Sequence, residues 1–344
     1  MARGSSIHGF LPMSDTESQR SISATGTDGE PVNFYASTEF LDVVSKVYFP
    51  SQSCRIEDFD VEGKVFRLLT MDGWAPAQVP YFLDMHEALR SPERHSRRRK
   101  LRRLARVSHG MIGIEEFRSN TEWSKFLGAP TVVWSHFASW TEYLELLRKR
   151  RVLPDDQRRR RRLEELLGPL EFKVDDTKDD VLPTCFSWRM ARDRSEGYSD
   201  IIFAREENRA FFYELRARGL LRASTLRANG QLLAIWLGVV YLQRWSGWVF
   251  AFNPEPSLAK YSLGRQLLFP MLEESYRAGD KEFDFSIGAE AYKLFFATHV
   301  RAVGLLGTPT IREQIEVHVK GLLKERPWMY QKAKALRNWL ASVP

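Results

Sequence analysis

Six residues, Lys260-Tyr261-Ser262-Leu263-Gly264-Arg265, place a glycine between two cations at the start of an apolar-periodic run. The first backbone N–H groups of a helix find no acceptor within it, and the macrodipole is positive there. A loop of this kind therefore suits a phosphate or pyrophosphate; a capped helix start with no ligand is the other reading. Some twenty residues on, Asp284 stands between Phe283 and Phe285 in a short apolar run. Burial beside those rings would raise the proton affinity of its carboxyl toward that of a base at neutral pH; the alternative is a carboxylate capping loop N–H groups. Glu290 can act as a base through water or simply favour the dipole of the helix it opens. Tyr292 can give or take a proton or be a buried ring with a satisfied hydroxyl, and the adjacent Lys293 can contact a bound anion or acceptor. His136 and His299 are isolated, and no Ser/His/Asp or Cys/His set can be assembled from order and spacing, which argues against a hydrolase.

These groups need elements to hold them. Arg222 to Leu242 reads as strand, Asn229-Gly230 turn, strand, because Asn-Gly readily takes the left-handed φ values of a tight hairpin. Trp245 to Phe252 is a third strand, ending at Asn253-Pro254. Glu255 to Lys260 is polar and proline-broken and is expected to be irregular. Ser262 is an expected N-cap, after which Leu263, Leu267, Leu268, Met271, Leu272 and Tyr276 recur at helical spacing until Ala278-Gly279. Pro270 falls inside that helix and should kink it. Lys281 to Phe285 is a short buried strand, Gly288 a break, Glu290 to Ala297 a second helix and Arg301 to Gly307 a final strand.

Upstream, Met1 to Val32 is rich in Ser, Thr, Gly and Asp and is expected to be a disordered arm. Glu39 to Phe49 has a helical apolar face, Val65 to Leu69 is a strand, and Asp72-Gly73 turns the chain into an extended run, Trp74 to Phe82. Ser91 to Arg106 is a strongly basic stretch without interleaved aromatics, read as a solvated helical face in preference to a phosphate-tracking one. A second basic block, Arg148 to Arg151 and Arg158 to Arg162, follows the aromatic-rich Val132 to Leu147. Leu153 to Phe172 is expected to begin as a helix despite its charge repulsion. Asp175 to Asp180 is a loop without metal-ligand spacing, Cys185 to Arg194 a helix, and Glu206 to Leu220 an amphipathic helix. Ile311 to Leu340 is a helical pair broken at Pro327.

The 344 residues suffice for two packed domains, and 43% hydrophobic with 12% aromatic residues indicates a globular chain. No run approaches the ~20 apolar residues that cross a bilayer, and no basic region followed by a continuous apolar stretch opens the sequence, so a cytoplasmic protein is expected. Cys54 and Cys185 stand far apart, which indicates neither a disulfide framework nor a zinc site. A formal charge of +7 favours anionic partners without choosing among nucleic acid, a CoA-like phosphate donor and an acidic membrane surface.

Lys260-Tyr261-Ser262-Leu263-Gly264, together with Phe283-Asp284-Phe285-Ser286-Ile287-Gly288-Ala289-Glu290-Ala291-Tyr292-Lys293, resembles the acyltransferases of the CelD/BcsL type, GNAT-like relatives of the FemAB peptidyltransferases. That family usually has Tyr-Ser-Pro-Gly in the loop and Asp-Phe…Gly…Glu-x-Tyr-Lys beyond it. The likeness is good from Phe203 to Pro309 and weak upstream; Leu263 departs from it by replacing the proline. The resemblance implies an α+β fold of two GNAT-like halves, each a twisted mixed sheet flanked by helices. The halves would span residues 33–200 and 201–310, with a helical extension over 311–344 and the donor site in the second. It implies transfer of an acyl group, acetyl in the first instance, from acyl-CoA to an amine or hydroxyl of a sugar, polysaccharide precursor or small metabolite, without a metal. Lys260, Tyr261, Ser262, Leu263, Gly264 and Arg265 would hold the donor. Its pantetheine arm would lie where Trp245–Phe252 and Lys281–Phe285 splay. Asp284, Glu290, Tyr292 and Lys293 would serve catalysis, with Tyr292 protonating the departing thiolate, and Trp188 and Arg189 would border the acceptor. A FemAB-like transferase using aminoacyl-tRNA, suggested by the two arginine blocks, and a non-catalytic module of the same fold are the alternatives.

Overall fold

The computed structural model describes residues 34–61, 64–71, 75–76, 85–86, 89–90, 111–113, 127–151, 153–197, 201–286 and 291–305. The expected N-terminal arm, the basic stretch Ser91 to Arg106, Glu290 and the helical pair after Ile311 lie outside these residues, as does most of Trp74 to Phe82.

The chain begins with α1 (Thr38–Tyr48), capped by the Ser37 hydroxyl, which accepts from Phe40 N at 3.1 Å. A small antiparallel sheet follows, made of β1 (Cys54–Val61), β2 (Lys64–Met71), β3 (Ala75–Pro76) and, paired with β2 after the short β4 (Met85–His86), β5 (Leu89–Arg90). Next come β6 (Met111–Gly113) and β7 (Leu127–Val133), then α2 (Trp140–Lys149), α3 (Leu153–Leu167), β8 (Leu170–Lys173), α4 (Val181–Ser195) and α5 (Glu206–Ala217). Ser139 caps α2 through Glu142 N while Glu142 reaches back to Ala138 N at 2.8 Å, a variant of the capping box.

The downstream half is β9 (Arg222–Ala228), β10 (Gln231–Tyr241), β11 (Arg244–Phe252), α6 (Leu263–Arg277), β12 (Glu282–Asp284), α7 (Ala291–Phe296) and β13 (His299–Leu305). Asn229 (φ 47°) and Gly230 (φ 79°) make the expected hairpin turn between β9 and β10. Glu255 to Lys260 is more ordered than its composition suggested: Pro256–Tyr261 forms a 3₁₀ turn, started by a proline whose φ is already helical and closed by the buried Leu258 and Tyr261, three residues apart. Pro270 does not end α6, which continues to Arg277. Leu267, Leu268, Met271 and Leu272 on either side of it are fully buried, so packing carries the helix past one missing backbone bond.

Nine strands share one mixed sheet in the order β4-β6-β13-β7-β12-β11-β10-β9-β8, with β11/β12 and β4/β6 parallel and the other neighbours antiparallel. Strand β7, whose place no local signal announces, lies between β12 and β13 and pairs with both. Strands from both sides of residue 200 therefore belong to one sheet. Apolar side chains cover both of its faces. On one, α1, α4 and α5 pack Phe40, Phe186, Phe211 and Phe212 against Ile235, Leu237, Val249 and Ala251. On the other, α2, α3 and α6 pack Tyr143, Leu163, Leu267 and Met271 against Leu233, Trp236, Trp245 and Phe283.

The acidic loop after β8 has a structural partner. Arg227, 3% exposed, donates to the buried Asp176 at 2.9 Å and to Asp180 at 2.8 Å. Burial works to raise the Asp176 pKa, but hydrogen bonds from Arg227, Thr225 and Lys178 N outweigh it and hold the group below the usual carboxylate range. Hydrogen bonding to Arg227 lowers Asp180 likewise. A depressed folded-state pKa stabilises the fold at pH values above the ordinary carboxylate range, and that contribution is lost on acidification through it. Arg227→Met, which strands the Asp176 charge, is expected to cost about 3–5 kcal/mol, seen as a lower urea midpoint at unchanged slope. A loss under about 1 kcal/mol would contradict this role for the pair.

Candidate functional site

Strands β11 and β12 run side by side for three residues only, Arg244↔Glu282, Trp245↔Phe283 and Ser246↔Asp284. Beyond Ser246, β11 continues to Phe252, and among the described residues no strand pairs with it on that side. The parting has identifiable causes. Phe285 N donates to Pro130 O of β7 at 3.0 Å, so β12 stays with its other neighbour. Ser286 then takes φ 58° and turns the chain away. The Asp284 carboxylate accepts from Ser286 N at 2.8 Å and fixes that turn, and the Ser286 hydroxyl donates to Gly247 O at 2.7 Å across the gap just past its narrow end. The result is a wedge with its apex at Ser246 and Asp284.

Helix α6 starts beside this wedge. Ser262 occupies its N-cap position but in the left-handed conformation (φ 53°, ψ 53°), and its hydroxyl does not cap the helix. That corrects the expected capping role: the oxygen is turned instead to the guanidinium of Arg159 on α3. Of the four N–H groups expected to face a ligand, Ser262 N donates to Ala259 O and Arg265 N to Ser262 O, because the 3₁₀ turn runs directly into the helix. Those of Leu263 and Gly264, the first two of α6, which the helix cannot satisfy itself, find no acceptor among the described residues. The rings of Tyr261 and Leu263's side chain point into the core, so both residues serve the loop through backbone and packing. Lys260 is exposed, its ammonium 5.1 Å from the Tyr261 ring.

Cations gather here against the dipole preference of a helix N-terminus, which makes the local potential more positive. Arg265 donates to Asp156 at 2.5 Å, and Gln266 Nε2 donates to Asp156 O at 3.2 Å, joining the first turn of α6 to that of α3. Burial raises the Asp156 pKa against the opposing pull of Arg265. Arg159 also pairs with Asp155 at 2.7 Å. The sequence marked the arginine run without singling out Arg159; its contact with Ser262 joins residues 103 apart and leaves no local signal. Ser286 was within the recognised motif but had no role assigned.

The remaining expected residues divide between two places. Asp284 is buried at the wedge apex, where its carboxylate accepts from Ser286 N. Lys293 is buried and Tyr292 half-buried on α7, and one turn on Phe296 packs 5.4 Å from Phe269 and 6.0 Å from the Arg265 guanidinium, so α7 borders the start of α6. Trp188 and Arg189 are not brought to that side. Both belong to α4, which packs on β11 from the opposite face, with Trp188 against the core there and Arg189 paired with Asp193 at 3.1 Å. Among the described residues no group of three or more His, Cys, Asp or Glu is placed to hold a metal, and no helix is long and apolar enough to cross a membrane. Cys185 is fully buried, its thiol pushed up to about 12 by burial, which makes it a packing residue.

Gly264 has a steric reason of its own. A Cβ there would lie 2.2 Å from the tip of the Phe250 ring, itself wedged 5.2 Å from Trp236 and 5.5 Å from Phe252. Gly264→Ala is expected to lower stability by about 1–3 kcal/mol in thermal denaturation, and Phe250→Leu in the same chain should recover most of that loss. Equal additive losses in the double variant would contradict the contact.

Residues 148–294 match the family model of the acetyltransferase (GNAT) domain. No curated protein matches the chain. Among solved structures, FemX is 9% identical, with a TM-score of 0.47, over 80% of this chain and 91% of its own. A conserved protein of unknown function from Bacteroides thetaiotaomicron VPI-5482 is 12% identical, with a TM-score of 0.45, over 78% and 92% of the two chains. L-PGS from Bacillus licheniformis is 11% identical, with a TM-score of 0.44, over 86% and 98%. The strand, loop and helix that build the wedge all fall within the matched region, and the fold is the GNAT fold, a mixed sheet flanked by helices.

Proposed function

We propose that the chain is an acyl-CoA-dependent N- or O-acyltransferase of the CelD/BcsL kind, acting on an amine or hydroxyl of a sugar, polysaccharide precursor or small metabolite. The observation that carries the reading is the wedge: β11 and β12 part after three paired residues, directly beside a helix start with two N–H groups that have no acceptor among the described residues and a cluster of cations. A CoA donor needs those two things together, an anion cradle for its pyrophosphate and an unpaired strand edge for its amide-bearing arm.

In this reading the N–H groups of Leu263 and Gly264 meet the pyrophosphate, with Lys260 and Arg159 supplying charge. Arg265, tied to Asp156, holds α3 against the cradle. The open edge of β11 from Trp248 to Phe252 offers backbone partners to the pantetheine amides. The acceptor's nitrogen or oxygen attacks the thioester carbonyl, the C–S bond breaks, and the thiolate takes a proton from Tyr292 while the acceptor's proton leaves through Glu290 or water. Asp284 acts by shaping the turn at Ser286, and Lys293 by facing the donor or acceptor from α7. Trp188 and Arg189 would approach from the opposite face of the sheet. A FemAB-like, tRNA-dependent transferase is the second reading, favoured by the exposed arginines Arg158, Arg161 and Arg162 along α3. A steep fall of tRNA affinity with salt would mark it.

The first test is CoA binding followed by thermal denaturation, since a ligand of the native state must raise its stability, by about 2.7 kcal/mol at a hundredfold excess over Kd. Thiol release from acetyl-CoA with panels of amines and hydroxylated sugars then reads the reaction. Tyr292→Phe is expected to keep CoA affinity while lowering turnover about 10²-fold or more. Folded protein that binds no CoA would overturn the reading.

A further inference from the structure

The wedge is closed on the side of α6. Trp236 stands on β10, yet its indole lies across β11 where Gly247 has no side chain: a Cβ on Gly247 would fall 2.4 Å from Trp236 Nε1. Crossing there, the indole reaches the rings of Phe283 and Phe285 on the far side of the gap, at centroid separations of 6.3 and 6.5 Å. Phe250 packs against it from β11 at 5.2 Å, and Phe283 meets Phe285 at 5.1 Å and Trp245 at 5.5 Å. Trp236, Phe283 and Phe285 are all buried. Among the described residues the indole N–H has no acceptor, so fit against its neighbours sets the ring's position. Gly247 is the first residue of β11 beyond its pairing with β12. The aromatic wall thus stands at the apex, where the two strands first separate.

We infer that Trp236, backed by Phe250, Phe283 and Phe285, is the residue that limits the length of the acyl group this chain accepts. The inference rests on the acyl-CoA reading above and narrows it to short acyl donors. A thioester whose arm runs along the open edge of β11 brings its acyl carbon to the apex, where close-packed rings leave a longer alkyl chain no space toward α6. Packed interiors yield poorly to extra methylenes, and a well-fitted pocket discriminates about tenfold or more for each one.

Calorimetric titration of CoA, acetyl-CoA, butyryl-CoA and hexanoyl-CoA tests this without knowledge of the acceptor. Wild type should bind acetyl-CoA about as well as CoA and hexanoyl-CoA about tenfold more weakly or worse. Trp236→Leu should bring hexanoyl-CoA to within about threefold of acetyl-CoA, with folding checked by near-ultraviolet circular dichroism. If that variant does not fold, Phe250→Leu and Trp236→Phe serve, each expected to shift the preference toward butyryl-CoA. Binding of CoA with equal affinity for all chain lengths overturns this inference alone, as does a folded Trp236 variant with the wild-type profile. Absence of CoA binding overturns the acyl-CoA reading and this inference with it.

Discussion

Everything at the candidate site depends on where one backbone N–H goes. Residues of β12 alternate between its two neighbours, and the N–H that would next face β11 is that of Ser286; it donates instead to the Asp284 carboxylate, while Phe285 N continues the ladder to Pro130 O of β7. Strand β12 is thereby held by a neighbour supplied from about 150 residues upstream, and among the described residues β11 keeps an edge without a strand partner. The turn at Ser286, in a left-handed conformation that costs a non-glycine residue about 1–3 kcal/mol, is secured by the Asp284 carboxylate and by the Ser286 hydroxyl on Gly247 O.

Because β7 holds the wedge open, what holds β7 matters too. The Trp134 indole, just past its end, donates to Ser275 on α6 at 3.0 Å, and Ser275 donates to the buried Asp280 at 2.8 Å. Tyr143 on α2 donates to Phe296 O at 2.9 Å, and Arg150 reaches Phe295 O and Ala297 O at 3.0 and 2.7 Å, fastening the end of α7. Helices α2 and α3 are therefore more than a basic surface. They clamp α7 and the start of α6 beside the gap, and α3 brings Arg159 to the loop that the downstream half alone would leave more open.

Local chemistry was legible in the sequence. The Asn229-Gly230 hairpin, the leucine periodicity of α6, its end at Gly279 and the short strand ending in Asp284 follow from turn preference and apolar spacing, which act over a few residues. The features that make the site were less so. Nothing near Leu127 to Val133 announces that it will separate β12 from β13, since strand pairing at long range carries no periodic trace. The same holds for Arg159 on Ser262 and for Trp236 over Gly247. Ser262 illustrates the limit: residue type suggested a helix cap, but an arginine on another helix takes its hydroxyl and a 3₁₀ turn presets its backbone. Residue type leaves Asp284 open between base and cap, and the hydrogen bond it accepts from Ser286 N, two residues away, is a contact that residue type alone does not specify.

Hydrogen–deuterium exchange across β11 measures the parted edge directly. In the free protein the amides from Gly247 to Phe252 that face away from β10 should exchange far faster than those of Arg244 to Ser246, and saturating CoA should slow them together with Leu263 and Gly264. Uniform protection along all of β11 before any ligand is added, unchanged by CoA, would show that the strands are closed and contradict the account.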